Sequence, residues 1–202
     1  MKGTHRDNLF EKPLFDGELI RLGPIDYEKD PEIESRWTHD ASFMRLMYRE
    51  PARPMPPSQV KKKYEELEKE ADEKRDAFPF RIRARVDDRL IGLAEIMWVD
   101  WSNDSAFVQL GIGAAEDRRK GYGREALELL LRFAFDEISL YRLGAVLPEY
   151  NEPALALFQS FGFVQEVRRR EALNRDGRRW DLFIYGLLAE EWRARQPKIE
   201  GE

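Results

Sequence analysis

Arg118-Arg119-Lys120-Gly121-Tyr122-Gly123 is the stretch of this 202-residue chain whose residue types and spacing could do chemistry. Three consecutive cations meet two glycines between an apolar run, Val108 to Gly113, and an amphipathic one, Arg124 to Asp136. In order, these read as a buried strand, a turn and a helix. The N–H groups that open a helix have no intrahelical acceptors, so a turn of this kind is an anion site. Glycines let a phosphate approach the backbone closely. The donors would be the N–H groups of about residues 119–124, each hydrogen bond to a charged oxygen contributing about 1.5–3 kcal/mol. Rival phosphate motifs fail on inspection. Gly111-Ile112-Gly113-Ala114-Ala115-Glu116 has Glu where a dinucleotide fingerprint needs its third glycine, and no Gly-Lys-Ser/Thr occurs. The plainer alternative is that the glycines only let the helix pack and the cations are solvated.

Composition narrows the chemistry further. The absence of cysteine excludes disulfides, a thiolate nucleophile and Cys-ligated metal. With His5 and His39 as the two histidines, a His-based zinc site or a Ser–His triad is not expected, and no metal is. A net charge of −5 gives no sign of a broad nucleic-acid surface. A hydrophobic fraction of 42% suits one globular domain over 1–202, with an N-terminal arm at 1–17 and a polar C-terminal tail at 189–202. No apolar run is long enough for a membrane span, and charges from Lys2 to Glu18 interrupt any signal-peptide core. The expected location is cytoplasmic, with no membrane or nucleic-acid partner.

The elements that must position the turn follow from periodicity. Glu18–Leu22 is a short strand, stopped by Gly23-Pro24. Asp26 can cap a helix running through Trp37, and Ser42–Tyr48 is a second short helix. Four prolines in Pro51–Pro57 make a stiff connector. Ser58 is a plausible cap for a helix with the stripe Val60, Tyr64, Leu67, Ala71 and a solvated charged face. Phe80–Val86 alternates apolar residues with Arg81, Arg83 and Arg85, which predicts a strand with one wet face. Leu90–Val99 and Ala106–Gly113 complete an antiparallel meander. A wide-faced helix over Gly121–Ile138 leads to a strand at 142–147, parallel to the one before it. Asn151 caps a helix ending near Gly162, and Phe163–Ala172 and Trp180–Leu188 form a hairpin around Asn174-Arg175-Asp176-Gly177. The fold class is α+β, with a single mixed, mostly antiparallel sheet and helices on both faces.

Residues 90–188 resemble the GCN5-related N-acetyltransferases (GNAT), which move acetyl from acetyl-CoA to an amine. The family signature Arg/Gln-x-x-Gly-x-Gly/Ala is matched by Arg118 to Gly123, Asn-x-x-Ala-Leu by Asn151-Glu152-Pro153-Ala154-Leu155, and x-Gly-Phe by Phe161-Gly162-Phe163. Residues 18–89 fit the family's looser N-terminal half in layout, which looks most like the branch of ribosomal-protein N-terminal acetyltransferases. The resemblance implies that acetyl-CoA is the co-substrate, held by Arg118, Arg119, Lys120, Gly121, Tyr122, Gly123 and Arg124 at its phosphates. It further implies backbone contacts from Leu110 and Ile112 and a side-chain contact from Asn151, with the pantetheine between two splayed strands. The acceptor would be an amine of a small molecule or a peptide, walled by roughly 26–57 and 172–180, with Trp37, His39, Trp98 and Trp101 available to line it. Oligomeric state stays open, a homodimer being among the options.

The catalytic pattern departs from the family. An alkyl amine with a pKa of about 10.4 needs about 4.6 kcal/mol to lose its proton at pH 7, so a base helps. The family's usual strand glutamate falls on Gln109, which accepts no proton, and its usual helix tyrosine falls on Phe158, which has none to give. Three readings follow. Glu95 on the neighbouring strand can serve as base, with Asp100 or Asp104 behind it, Gln109 positioning water or amine and Tyr150 replacing the acid. Alternatively, positioning and backbone polarisation suffice. Or the protein is a non-catalytic acyl-CoA-binding regulatory or sensor module.

Overall fold

The computed structural model describes residues 13–196, so residues 1–12 of the expected arm and 197–202 of the expected tail lie outside the described residues. Seven strands form one sheet in the order β1-β2-β3-β4-β5-β7-β6. They are β1 Ile20–Gly23, β2 Phe78–Ala84, β3 Leu90–Asp100, β4 Ser105–Ile112, β5 Arg142–Pro148, β6 Val164–Arg175 and β7 Arg178–Leu188. Every neighbouring pair is antiparallel except β4 and β5, which run parallel across a helical crossover. The class is α+β, as the alternation of periods 2 and 3.6 implied.

Helix α4, Tyr122–Arg132, covers one face of the sheet. Ala126, Leu127, Leu130 and Leu131 are fully buried, the two adjoining stripes read from sequence. The helix does not continue as α-helix to Ile138. Phe133–Glu137 widens into a π-helical turn, in which the Ile138 N–H reaches the Phe133 carbonyl at 3.0 Å. At the other end the Glu125 carboxylate accepts the backbone N–H groups of Glu18, Leu19 and Ile20, tying the chain before β1 to the first turn of α4.

The opposite face is covered by α1 Asp30–Thr38, α2 Ala41–Met47 and α3 Pro57–Lys74. Their presence corrects the expectation of a wet face on β2. Phe80, Ile82 and Ala84 do pack toward α4. Arg81 and Arg83, however, are only 4% and 7% exposed. Arg83 pairs with Asp30 at 2.8 Å, and Arg81 lies 3.9 Å from Glu34 and over the Tyr64 ring. Helix α1 supplies both carboxylates, one turn apart, against arginines two residues apart on the strand. Such burial is tolerable because the charges are paired. Arg85 is the one of the three that faces water.

Helix α5, Glu152–Ser160, follows β5, and Asp176 and Gly177 close the last hairpin with positive φ. Residues 189–195, expected as polar tail, form helix α6, which buries Trp192 against Phe135 and Phe161. The spacing of one tryptophan among charges is too sparse a stripe to announce that helix. Among the described residues no helix is long and apolar enough to cross a membrane, and no cluster of three or more His, Cys, Asp or Glu could hold a metal ion.

Candidate active site

The two parallel strands part company in the middle of the sheet. β4 and β5 pair only where Ser105–Phe107 faces Arg142–Gly144, although β4 continues to Ile112 and β5 to Pro148. Beyond Phe107 the facing edges of the two strands have no strand partner in each other. The turn from β4 to α4 lies at the end of this opening. A 3-10 turn at Ala115–Asp117 precedes it. Arg119 then sits at φ 61 and Gly121 at φ 90, both left-handed. Left-handed residues alternating with ordinary ones curve the backbone into a concave run of N–H groups. Gly121 is the N-cap of α4 and offers no capping side chain. The first helical bond is from Glu125 N–H to Gly121 C=O, which leaves the Tyr122, Gly123 and Arg124 amides open.

Gly123 distinguishes a packing role from a ligand role. A Cβ built on it would stand 3.7 Å from Leu110 and 3.8 Å from Ile112, ordinary contact distances, and its φ is not left-handed. The protein's own packing therefore leaves room for a side chain there. The open amides and the small residue together fit a phosphate-bearing group lying along the turn, with Leu110 and Ile112 beside it.

The cations of the turn are not equivalent. Arg118 donates to the carbonyls of Ile112 at 3.2 Å and Gly113 at 2.6 Å and pairs with Asp40 at 3.0 Å. Its backbone N–H bonds Ala115. Arg118, expected at the phosphates, thus staples β4, the turn and the N-cap of α2 together. Lys120 leans 3.3 Å from Asp117, whose carboxylate is buried and held bidentately by Arg89. The Arg89 hydrogen bonds hold the Asp117 pKa below the usual carboxylate range. Arg119 is exposed at the rim, and Arg124 donates to Ser160 and lies 4.9 Å over Phe161. Asn151 uses both ends of its amide. Its oxygen caps α5 through Ala154 N–H at 3.3 Å, and its nitrogen donates to Leu46 C=O at 3.3 Å. The side chain expected to reach the cofactor thus also holds α2.

That hold has two companions. Tyr150 Oη donates to Arg45 C=O at 2.9 Å, and Gln109 Nε2 to Met47 C=O at 2.5 Å. Three successive carbonyls at the C-terminus of α2, with no intrahelical donors of their own, are thus fastened to β4 on one side and to the end of β5 on the other.

Under α2 lies a cavity of about 340 Å³ that reaches the point where the strands part. Phe107, Val108 and Gln109 of β4 and Val146 and Pro148 of β5 line it. Glu95 lines it too, directly opposite Gln109 in the β3–β4 register, so the two side chains share a face. Among the described residues the Glu95 carboxylate has no ion-pair or hydrogen-bond partner. Burial pushes its pKa above the ordinary glutamate value, while Arg81 and Lys63 pull the other way. A free, desolvated carboxylate beside the splay point is what a general base requires.

Several expected residues are not brought here. Tyr150 lines a second cavity of about 270 Å³ with Arg45, Asp176 and Trp180, and its proton is already donated. Phe158 is buried 4.9 Å from Phe163. Asp100 caps its own turn through Ser102 and Asn103, and Asp104 is an exposed turn residue with φ 47. Trp98 lines the cavity, whereas Trp37 is core, His39 is exposed and Trp101 bonds Arg75 C=O. The segment Leu46–Glu50 does form a wall, but the other wall is α3, with Leu67, Glu70, Ala71 and Lys74. Its face read as wholly solvated is therefore partly a cavity lining. Tyr48, also in the lining, carried no sequence signal beyond being an aromatic at a helix end.

Comparisons with known proteins agree with this layout. A prophage-derived uncharacterized N-acetyltransferase, YokL of Bacillus subtilis strain 168, is 27% identical over 128 residues, covering 63% of this chain and 68% of that protein. The crystal structure of spermidine N-acetyltransferase from Vibrio cholerae in complex with CoA and spermine superposes with a TM-score of 0.74 at 21% identity, over 88% of this chain and 99% of that one. The ribosomal-protein-S5-alanine acetyltransferase from Vibrio fischeri gives 0.72 at 20%, over 91% and 98%. Residues 20–164 match the family model for the acetyltransferase (GNAT) domain. This chain belongs to the GNAT family and is an N-acetyltransferase.

Proposed function

We propose that the protein transfers the acetyl group of acetyl-CoA to the primary amine of a small cationic acceptor. One observation carries the reading: an open run of helix-start amides and a cavity holding an unpaired carboxylate meet where β4 and β5 separate. The amides of Arg119 to Arg124 would hold the phosphates, and the gap between the strands would take the thioester arm. When bound, acetyl-CoA supplies an activated carbonyl.

This chain's own residues do the rest. Glu95 takes the proton of the attacking amine, and its raised pKa makes it a stronger base than an exposed glutamate. Gln109 serves as a roof anchor rather than a proton carrier, since its amide is held by Met47. The cavity wall carries Glu50, Glu70, Asp76 and Glu95 against Arg49 and Lys74. This acidic excess suits an ammonium-bearing acceptor, in keeping with the spermine bound by the Vibrio cholerae neighbour.

The test incubates the protein with acetyl-CoA and a panel of amines, namely an alkyl diamine, a triamine, an aminoglycoside and a peptide with a free N-terminus, while free thiol is followed. Thiol release with the alkyl amines, and less with the peptide, is expected. CoA binding without release on any amine would overturn the transferase reading in favour of a regulatory acyl-CoA-binding module.

A further inference from the structure

The reaction also needs an acid. A thiolate leaves more readily when a proton meets it, and neither residue considered for that task is placed to give one. Phe158 has no proton, and Tyr150 donates its own to Arg45 in the other cavity. One hydroxyl-bearing residue does line the cavity with Glu95, namely Tyr48, the residue just after α2.

Tyr48 is held in an unusual setting for a cavity tyrosine. Its ring stands edge-on to Phe43, centroids 6.4 Å apart. Its oxygen accepts from Lys63 Nζ of α3 at 2.9 Å. Lys63 in turn is 3.4 Å from Glu34 of α1, a carboxylate only 1% exposed that also takes the Tyr64 hydroxyl. The Tyr48 lone pair is therefore engaged by a cation fixed from behind. Among the described residues its O–H has no acceptor.

We propose that Tyr48 is the proton donor to the departing thiolate and that Lys63 positions its hydroxyl and balances the charge left on it; this rests on the transferase reading above. The neutral amine nitrogen bonds to the thioester carbonyl carbon and gives a proton to Glu95. The carbon–sulfur bond breaks with its electron pair on sulfur, and the Tyr48 proton passes to that sulfur. The phenolate faces the Lys63 ammonium and takes a proton from it. Lys63, its side chain 39% exposed, regains a proton from water. Glu95 returns its proton to solvent, and the balance is amine plus thioester to amide plus thiol.

The charged groups facing Tyr48 are Lys63 from α3, Glu34 from α1 and Arg81 from β2. Burial pushes the tyrosine pKa up and Lys63 opposes it, so the hydroxyl keeps its proton through neutral pH. Burial also works against the Lys63 charge, but Tyr48 and Glu34 outweigh it and hold its pKa above the ordinary lysine value.

The experiment compares full-length wild type with Tyr48→Phe, Lys63→Met and Lys63→Arg on acetyl-CoA and the best amine of the panel, across pH, with CoA affinity measured alongside. Tyr48→Phe is expected to lower kcat by about 10²-fold or more, to leave CoA affinity within about twofold of wild type, and to lose the alkaline limb of the kcat profile. The acid limb set by Glu95 should survive. Lys63→Met removes the cation, so the tyrosine loses its proton only at higher pH and the alkaline limb should move up. Lys63→Arg should bring it back. A Tyr48→Phe enzyme that turns over within about threefold of wild type, or keeps the alkaline limb, overturns the assignment while the transferase reading stands. An alkaline limb unmoved by Lys63→Met overturns it as well, even where Tyr48→Phe fails to fold. A wild type silent on every amine overturns both.

Discussion

The β4–α4 turn and the cavity under α2 are the two ends of the proposed site, made in opposite ways. The turn is a single contiguous stretch, Arg118 to Arg124, and its working groups are backbone amides. The cavity draws walls from α2, α3, β3, β4, β5 and β7, and its working groups are side chains. A binding surface made of main chain survives most substitutions and fails only when something is put in its way. One made of side chains from six elements depends on each of them and on the packing that brings them together.

The largest expected effect comes from blocking the turn. Gly123→Glu places bulk and negative charge against three or four charge-assisted hydrogen bonds worth about 1.5–3 kcal/mol each, so CoA affinity should fall by about 10³-fold or more. The Cβ itself has space, so circular dichroism and Tm should stay near wild type. Calorimetric titration with CoA decides it, and unchanged affinity would sink the assignment of the turn.

Glu95→Gln should do the reverse. CoA affinity stays, while kcat/KM at neutral pH drops by about 10²-fold. Because burial raises the Glu95 pKa, the acid limb of the wild-type profile should lie above the ordinary carboxylate range and vanish in the variant. Near pH 10 the amine loses its proton unaided and the loss should shrink. A variant with the wild-type pH profile would remove Glu95 as base.

Arg118→Ala tests whether the first cation of the motif holds the fold or the ligand. It leaves the Gly113 carbonyl without its donor, which costs about 1–3 kcal/mol. Denaturant unfolding should show that loss, with CoA affinity reduced by less than tenfold. A larger effect on affinity than on stability would return Arg118 to the phosphate. The smallest effect concerns stability at Glu95 itself. A carboxylate whose pKa is raised by folding destabilises the fold when ionised, and that cost fades as pH falls through the raised pKa. Glu95→Gln should therefore raise Tm at neutral pH by a few degrees at most, given about 2–4 °C per kcal/mol. The difference should close on acidification; a gap that widened toward low pH would contradict the shift.

The same contrast governs what could be read in advance. Gly121 and Gly123 announce the turn because helix starts and left-handed backbone leave local signatures. The meander, the parallel crossover and α4 were legible for the same reason, since Leu127 and Leu131 declare their face by spacing. Arg81 and Arg83 were misread because an arginine alternating with apolar residues looks identical on a wet face and on one covered by a helix. The signal that resolves them is Asp30 and Glu34, one helical turn apart on a distant segment. Glu95 was named for its place on the strand beside that of Gln109, and the register that sets the two face to face is visible only in the fold, whereas Tyr150 was chosen for adjacency to Asn151, and adjacency does not say which way a ring turns. Tyr48 and Lys63 left no trace, since their partnership exists only after α3 docks on α2.

Helix α2 is held across the opening by Gln109, Asn151 and Tyr150 through the carbonyls of Met47, Leu46 and Arg45. Every residue has a carbonyl. The roof therefore keeps its position whatever side chains occupy 45–47, and those facing the acceptor can be exchanged without loosening it. That makes this short helix the natural place to re-engineer acceptor choice: a library at Leu46 and Met47 would change what the cavity touches while the anchors, and the turn beyond them, stay as they are.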